Sequence, residues 1–86
     1  MRNKMNDLTV IILTKNEEKN INDVIMNALN VTDDVLIIDS GSTDNTVSIA
    51  ENNGARVVCR KWDNDFSAQR NFGLLNTDRN WVLYLD

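Results

Sequence analysis

Two β-branched and aliphatic runs stand out in the first half of the chain. Thr9-Val10-Ile11-Ile12-Leu13-Thr14 is β-branched and aliphatic almost throughout, the pattern of a strand covered on both faces, as in a parallel sheet. Asp34 to Asp39 repeats that pattern. Between them Ile21, Val24, Ile25, Ala28 and Leu29 recur at the spacing of one helix face, after a polar start at Asn16-Glu17-Glu18 whose acids suit a helix N-terminus. Ser40 to Thr46 supplies turn residues and candidate N-caps, and predicts a second helix of about 10 residues ending near Gly54, its C′ residue. Ala55-Arg56-Val57-Val58-Cys59 predicts a third, shorter strand, and Lys61 to Phe66 a loop of acids and amides carrying two aromatics. From Ser67 a third helix is expected with Ala68, Phe72 and Leu75 on one face, and Trp81 to Asp86 reads as a fourth strand.

The succession is β-α-β-α-β-α-β, with links too short for anything but right-handed crossovers onto a mostly parallel sheet. The expected fold is therefore α/β, with helices on both faces of the sheet in three layers. At 86 residues the chain is one small domain or a piece of a larger one. The apolar runs fall far short of the roughly 20 residues that span a bilayer, and the N-terminus lacks a secretory apolar region, so a cytoplasmic protein is expected. With no His and the single Cys59, the chain cannot by itself build a Ser-His-Asp triad, a Cys-His pair, a zinc site of Cys and His, or a disulfide. A net charge of −4 leaves no general basic field for nucleic acid, and an anionic ligand needs a metal or a few placed cations.

In an open α/β sheet ligands bind beyond the carboxyl ends of the strands. Those positions hold Thr14-Lys15-Asn16-Glu17, Asp39-Ser40-Gly41-Ser42 and Asp86. Each alone reads most simply as helix capping and solvation; three acidic or amide-bearing segments on one edge weaken that reading. Neither a Gly-x-Gly-x-x-Gly nor a P-loop is present, so a backbone cradle for phosphate gives way to carboxylates holding a hard divalent cation that holds phosphate oxygens. Asp86 is the leading candidate for that role, against a strand-ending Asp that caps the next turn. Asp39, when ionised, only accepts hydrogen bonds, which suits the ring N–H of a base such as uracil; its plainer role is to cap Ser42 or Thr43. Arg70 is either an anion contact, an ion-pair partner of Asp65 or Asp39, or a solvated helical side chain. Trp62 and Phe66 read as loop anchors and Cys59 as a small buried apolar group.

The segments 10–18 (Val-Ile-Ile-Leu-Thr-Lys-Asn-Glu-Glu), 37–46 (Ile-Ile-Asp-Ser-Gly-Ser-Thr-Asp-Asn-Thr), 62–72 with its Arg-Asn-Phe, and 81–86 (Trp-Val-Leu-Tyr-Leu-Asp) together resemble family 2 glycosyltransferases of the GT-A fold. The likeness runs from Leu8 through nearly the whole chain and is nearest to bacterial lipopolysaccharide-core β-glucosyltransferases. The resemblance implies that Thr14, Asn16 and Glu17 border the nucleotide base and that Asp39, with Ser40 beside it, binds uracil. It also implies that Arg70 lies near the nucleotide or its phosphates, and that Asp86 opens an Asp-x-Asp motif meeting ribose and metal. The second Asp of that motif, the acceptor-binding half and the general base are then expected beyond Asp86, so residues 8–86 look like the donor-nucleotide half of the enzyme, behind a tail of residues 1–7, and inactive alone.

By the same resemblance the parent enzyme transfers a sugar from a UDP-sugar to an acceptor hydroxyl with inversion, with Mg²⁺ or Mn²⁺ neutralising the diphosphate. The acceptor is expected to be a glycan or lipid-linked molecule in bacterial cell-surface synthesis, at most peripheral to the inner membrane. A strand order of 3-2-1-4 is also implied. It leaves Trp81, Leu83 or Tyr84 on an exposed edge that invites self-association. The rival reading is a non-catalytic nucleotide-binding or receiver-like α/β module. Receivers need clustered acids after the first strand and an Asp after the third, where this chain has Lys15-Asn16-Glu17 and Cys59-Arg60-Lys61.

Overall fold

The computed structural model describes residues 6–85. In chain order they form β1 (Leu8–Thr14), α1 (Ile21–Leu29), β2 (Val35–Asp39), α2 (Thr46–Asn52), β3 (Arg56–Cys59), α3 (Phe66–Leu74) and β4 (Trp81–Leu85). The four strands make one sheet in the order β3-β2-β1-β4, every pair parallel, as expected of a three-layer α/β domain. Its register aligns Thr14 with Asp39 and Asp39 with Cys59, so the carboxyl ends of β1, β2 and β3 finish level.

The two faces of the sheet carry separate cores. Val10, Ile12, Val35 and Ile37 pack with Ile21, Ile25 and Ala28 of α1 and Ala50 of α2. Ile11, Leu36 and Ile38 point the other way, toward Phe72 of α3 and Tyr84 of β4. Successive strand residues alternate between faces, and both faces being covered is why β1 and β2 read as unbroken apolar runs rather than as alternating ones. Among the described residues no helix is long and apolar enough to cross a membrane.

The helices start and stop where local chemistry permits. The first was expected to begin in the acidic segment 16–18, but Asn16 sits at φ 52°, a left-handed conformation that cannot lie inside a right-handed helix. A turn follows, in which the Glu17 carbonyl accepts from the amides of Asn20 (3.0 Å) and Ile21 (2.8 Å). The second helix is shorter than expected, seven residues, and closes with the Asn53 side chain and N–H both donating to the Ile49 carbonyl, at 2.8 and 3.1 Å. Gly54, at φ 89°, then gives its N–H to Glu51 while the Ala55 N–H reaches Ala50, both at 3.1 Å. This is a Schellman ending with Gly54 at C′.

Two expectations about burial are corrected. On α3 the fully buried residues are Gln69 and Gly73, not Leu75, which is 84% exposed just past the helix end. The helix turns its smallest residue to the sheet: a Cβ on Gly73 would stand 2.8 Å from Ile38 Cδ1, 3.0 Å from Ile11 Cδ1 and 3.2 Å from the Tyr84 hydroxyl. Cys59 is exposed rather than buried, because it closes an edge strand with a sheet neighbour on one side only. On the opposite edge Trp81 and Leu83 are exposed. They share a face of β4 that the sheet alternation turns away from α3, whereas Val82 and Tyr84 pack beneath it.

The amino ends of the strands are clamped by charge. Arg56 holds Asp34 with two bonds, Nε to Oδ1 at 2.8 Å and Nη2 to Oδ2 at 3.0 Å. Thr9 donates to the same carboxylate at 2.6 Å, and Arg79 bonds Asp33 and the Leu8 carbonyl. Burial by itself would raise the Asp34 carboxyl, but the Arg56 and Thr9 donors and the Arg56 and Arg79 charges hold it below its ordinary value. Gly73→Ala should destabilise the fold by about 1–3 kcal/mol, the usual effect of overpacking a filled core, read by denaturant unfolding; an unchanged midpoint would show that α3 is free to lift from the sheet.

Candidate functional site

At the carboxyl edge the loops after β1 and β2 are fastened to one another through Asp39. This carboxylate is 1% exposed and accepts four hydrogen bonds. Thr14 Oγ1 (2.7 Å) and Ser42 Oγ (2.6 Å) reach Oδ1, and the amides of Gly41 (3.0 Å) and Ser42 (2.7 Å) reach Oδ2. A carboxylate offers about four lone-pair positions, so the protein fills it. Burial alone would push its pKa up; the Ser42 hydroxyl and amide, the Thr14 hydroxyl and the Gly41 amide outweigh that and hold it below the usual carboxylate value. Gly41, in the turn that closes on Asp39, adopts φ 104°, a conformation that a side chain would disfavour.

Asn16 bridges the loops in both directions. Its N–H donates to Ser42 Oγ at 2.8 Å and its side-chain oxygen accepts from the Thr43 N–H at 2.8 Å. The Glu17 N–H donates to Thr46 Oγ1 at 2.8 Å, and Lys15 Nζ donates to the Gly41 carbonyl at 2.8 Å. Thr14, Asn16, Glu17, Asp39 and Ser40 are thus brought together as expected. Beside them opens a cleft of about 540 Å³, lined by Leu13 and Thr14 at the end of β1, by Lys15, Glu17 and Ser40 from this pair of loops and by Lys61 and Trp62 from the loop after β3.

Arg70 lies apart from that group. Its guanidinium stands 5.6 Å over the Tyr84 ring, and the Tyr84 hydroxyl donates to its carbonyl at 2.6 Å. Among the described residues it forms no ion pair with Asp39 or Asp65. Asp65 instead caps α3, accepting from the Ala68 N–H at 3.0 Å, and Asp63 pairs with Arg60 at 2.9 Å. Asp86 lies outside the described residues, and the described residues contain no group of three Cys, Asp or Glu side chains able to hold a metal ion.

Sequence reasoning missed Gln69 and underrated Trp62. The Gln69 side chain, buried on α3, accepts from Arg60 at 2.8 Å and reaches Ser40 Oγ at 3.4 Å, joining α3 to the Asp39 loop. Its signal was its place one helical turn before Gly73, the residue nearest the sheet. For Trp62 the signal was position: it follows Cys59, which is level with Asp39. Phe66 is no core anchor either; it is 66% exposed and packs edge-on against Trp62, with ring centroids 4.7 Å apart.

The sequence model of Glycosyl transferase family 2 matches residues 9–86. The chain belongs to glycosyl transferase family 2. It is 39% identical over 79 residues to an uncharacterised glycosyltransferase of Rickettsia conorii, covering 92% of this chain and 28% of that protein. It is also 30% identical over 81 residues to the glycosyltransferase SunS of Bacillus subtilis, covering 92% of this chain and 19% of the relative. Among solved structures it superposes on glucosyl-3-phosphoglycerate synthase of Mycobacterium tuberculosis with a TM-score of 0.79 at 28% identity, over 94% of this chain and 33% of that one. That enzyme was solved with Mn²⁺, UDP and glucosyl-3-phosphoglycerate. The family 2 domain described here therefore spans less than a third of the rickettsial relative and about a third of the mycobacterial one.

The depressed carboxyls of Asp34 and Asp39, at opposite edges of this family 2 chain, contribute to its acid stability. The folded pKa values of Asp34 and Asp39 lie below the unfolded 3.8. Their contribution is therefore fully present above that value and is lost as pH falls through the lower folded ones. Unfolding free energy should accordingly drop on acidification, and more shallowly in Asp39→Asn; an identical slope in the variant, measured by denaturant titration across the acid range, would remove Asp39 from that account.

Proposed function

We propose that this chain is the donor-nucleotide-binding part of an enzyme that transfers a sugar from a UDP-sugar to an acceptor hydroxyl with inversion. The observation that carries the reading is the Asp39 joint. A buried, ionised acceptor is held level with the ends of three parallel strands, beside a cleft of nucleotide size, in a chain of glycosyl transferase family 2. The UDP and Mn²⁺ bound to the mycobacterial neighbour support the donor class. Bacterial cell-surface glycan synthesis of the lipopolysaccharide-core kind is the proposed setting, with a glycan or lipid-linked acceptor.

Asp39 has no spare lone pair in this structure, so recognition of a ring N–H requires one donor to yield. Of the two rotatable hydroxyls on Oδ1, Thr14 and Ser42, the Ser42 hydroxyl is the proposed one. It turns by rotation about a single bond, it still accepts from the Asn16 N–H, and the Ser42 amide keeps its own bond to Asp39. The base N–H then replaces a neutral hydroxyl on the carboxylate, while Thr14 and the Gly41 and Ser42 amides hold it in place. A ring presenting an acceptor at that position meets a negative charge and is rejected.

Transfer itself is proposed as attack of the acceptor oxygen on the anomeric carbon opposite the departing UDP, so that one C–O bond forms as another breaks. The acceptor proton passes to a carboxylate beyond this chain. Mg²⁺ or Mn²⁺ is the proposed counter-charge for the diphosphate; Asp86, a hard oxygen ligand, is the residue proposed to meet it, with phosphate oxygens and further carboxylates completing the shell. These 86 residues are on that account a binding unit rather than a complete catalyst.

Calorimetric titration with UDP and CDP in Mn²⁺ tests the reading. UDP should bind in preference to CDP. Asp39→Asn, checked for folding by circular dichroism, should weaken UDP by about 10- to 150-fold, the worth of a hydrogen bond to a charged acceptor, and bring UDP and CDP together. Equal affinity for the two nucleotides in the unmodified protein, or unaltered UDP affinity in the variant, would confine Asp39 to its role in the loop.

A further inference from the structure

The cleft beside Asp39 has an aromatic wall that the joint itself does not use. Trp62 is half-buried and lines the cleft together with Thr14 and Ser40, the residue that donates to Asp39 and the residue that follows it. Its setting is constrained on two sides. The indole Nε1 donates to Asn64 Oδ1 at 2.9 Å, with Asn64 in the left-handed conformation at φ 64°. Phe66 packs against the indole at 68° between planes, an edge-to-face pair of the geometry that aromatic rings prefer.

The loop is anchored at its root as well. The Arg60 N–H donates to the Asp39 carbonyl at 2.9 Å, so Trp62 lies two residues along the chain from a direct bond to the acceptor residue. Arg60 also holds Gln69 at 2.8 Å and Asp63 at 2.9 Å, which ties the loop to α3. A large flat side chain is thus fastened at the rim of a cleft, with its own polar group satisfied inside the loop and part of its ring left to the cavity. A loop anchor alone would be expected to bury that ring.

Resting on the nucleotide-binding reading above, we propose that Trp62 is the surface on which the base of the bound nucleotide stacks, with Asn64 and Phe66 fixing the indole plane. Stacking holds any base by its π-face and does not read its edge. Affinity and selection are then divided: Trp62 supplies grip without preference, and Asp39 supplies preference. The pre-set orientation matters because an indole already held in place loses little side-chain freedom when the base arrives.

The chain holds two tryptophans, and Trp81 is exposed on β4, so Trp81→Phe isolates the emission of Trp62 without touching the cleft. In that variant UDP should change Trp62 fluorescence along a curve that saturates at the calorimetric Kd. Trp62→Ala should weaken UDP and CDP by the same factor, roughly 5- to 150-fold for the loss of one stacking partner, leaving their ratio intact. Trp62→Phe should restore most of the affinity. UDP that binds without altering the emission, or that binds Trp62→Ala as tightly as the parent, would overturn the stacking role while leaving the nucleotide reading in place. Failure of the parent protein to bind UDP at all would overturn both. The fluorescence experiment needs no change at Trp62, so a Trp62→Ala protein that fails to fold still leaves the proposal decided.

Discussion

A buried carboxylate saturated by its own protein is the joint on which this structure turns. Asp39 ends the central β2, takes the Thr14 hydroxyl from the neighbouring strand, and takes two backbone amides and a hydroxyl from the loop that leaves it. An ionised group removed from water is costly unless its hydrogen bonds are made. Here the shape of the 41–42 turn follows from that requirement. The turn in turn presents Ser42 to Asn16, and through Asn16, Glu17 and Lys15 the loop after β1 is fixed on the loop after β2. One desolvated charge thereby organises most of the sheet edge where a ligand of an open α/β sheet is expected.

The opposite edge is held by charge of a different kind. Asp34, Asp33, Arg56 and Arg79 tie the amino ends of the strands and the approach to β4 together. Arg56 makes the bidentate contact that planar guanidinium and carboxylate groups favour. These pairs are partly solvated, so their contribution to stability is small beside that of the two apolar cores. What they do fix is register: Thr9 of β1, Asp34 just before β2 and Arg56 of β3 lie side by side, and a slip of one residue would separate them. The carboxyl edge is then free to carry polar groups chosen for binding rather than for cohesion.

The third helix is the element through which packing reaches the site. Gly73 lets α3 come close enough for Tyr84 to bond the Arg70 carbonyl, and that proximity places the Arg70 guanidinium over the ring. One turn earlier, Gln69 carries the same helix to Ser40 and Arg60. The Asp39 loop, the aromatic loop after β3 and α3 thus form one connected unit, in which Trp62 lines the cleft together with Thr14 and Ser40, the residues that bond and follow Asp39.

Periodicity alone determined the element order, the parallel sheet and the polar character of its carboxyl edge, because unbroken β-branched runs and i, i+3, i+4 spacings are local properties of the chain. It also brought Asp39, Thr14, Asn16, Glu17 and Ser40 into view together, since each follows directly from the end of a strand. The facing of α3 was decided elsewhere. Helical spacing favoured Leu75, and the steric room around Ile11, Ile38 and Tyr84 selected Gly73 instead. Exposure of Trp81 and Leu83 was expected once the resemblance implied the strand order, whereas that of Cys59 depended on which strands became edges and which faces the helices covered, and neither is written in any one segment. Whether Asp39 was open or filled, and whether Trp62 anchored a loop or lined a cleft, rested on contacts between residues far apart in sequence. Only the tertiary structure decides these, because the donors that fill a carboxylate and the walls that bound a cavity come from several strands at once.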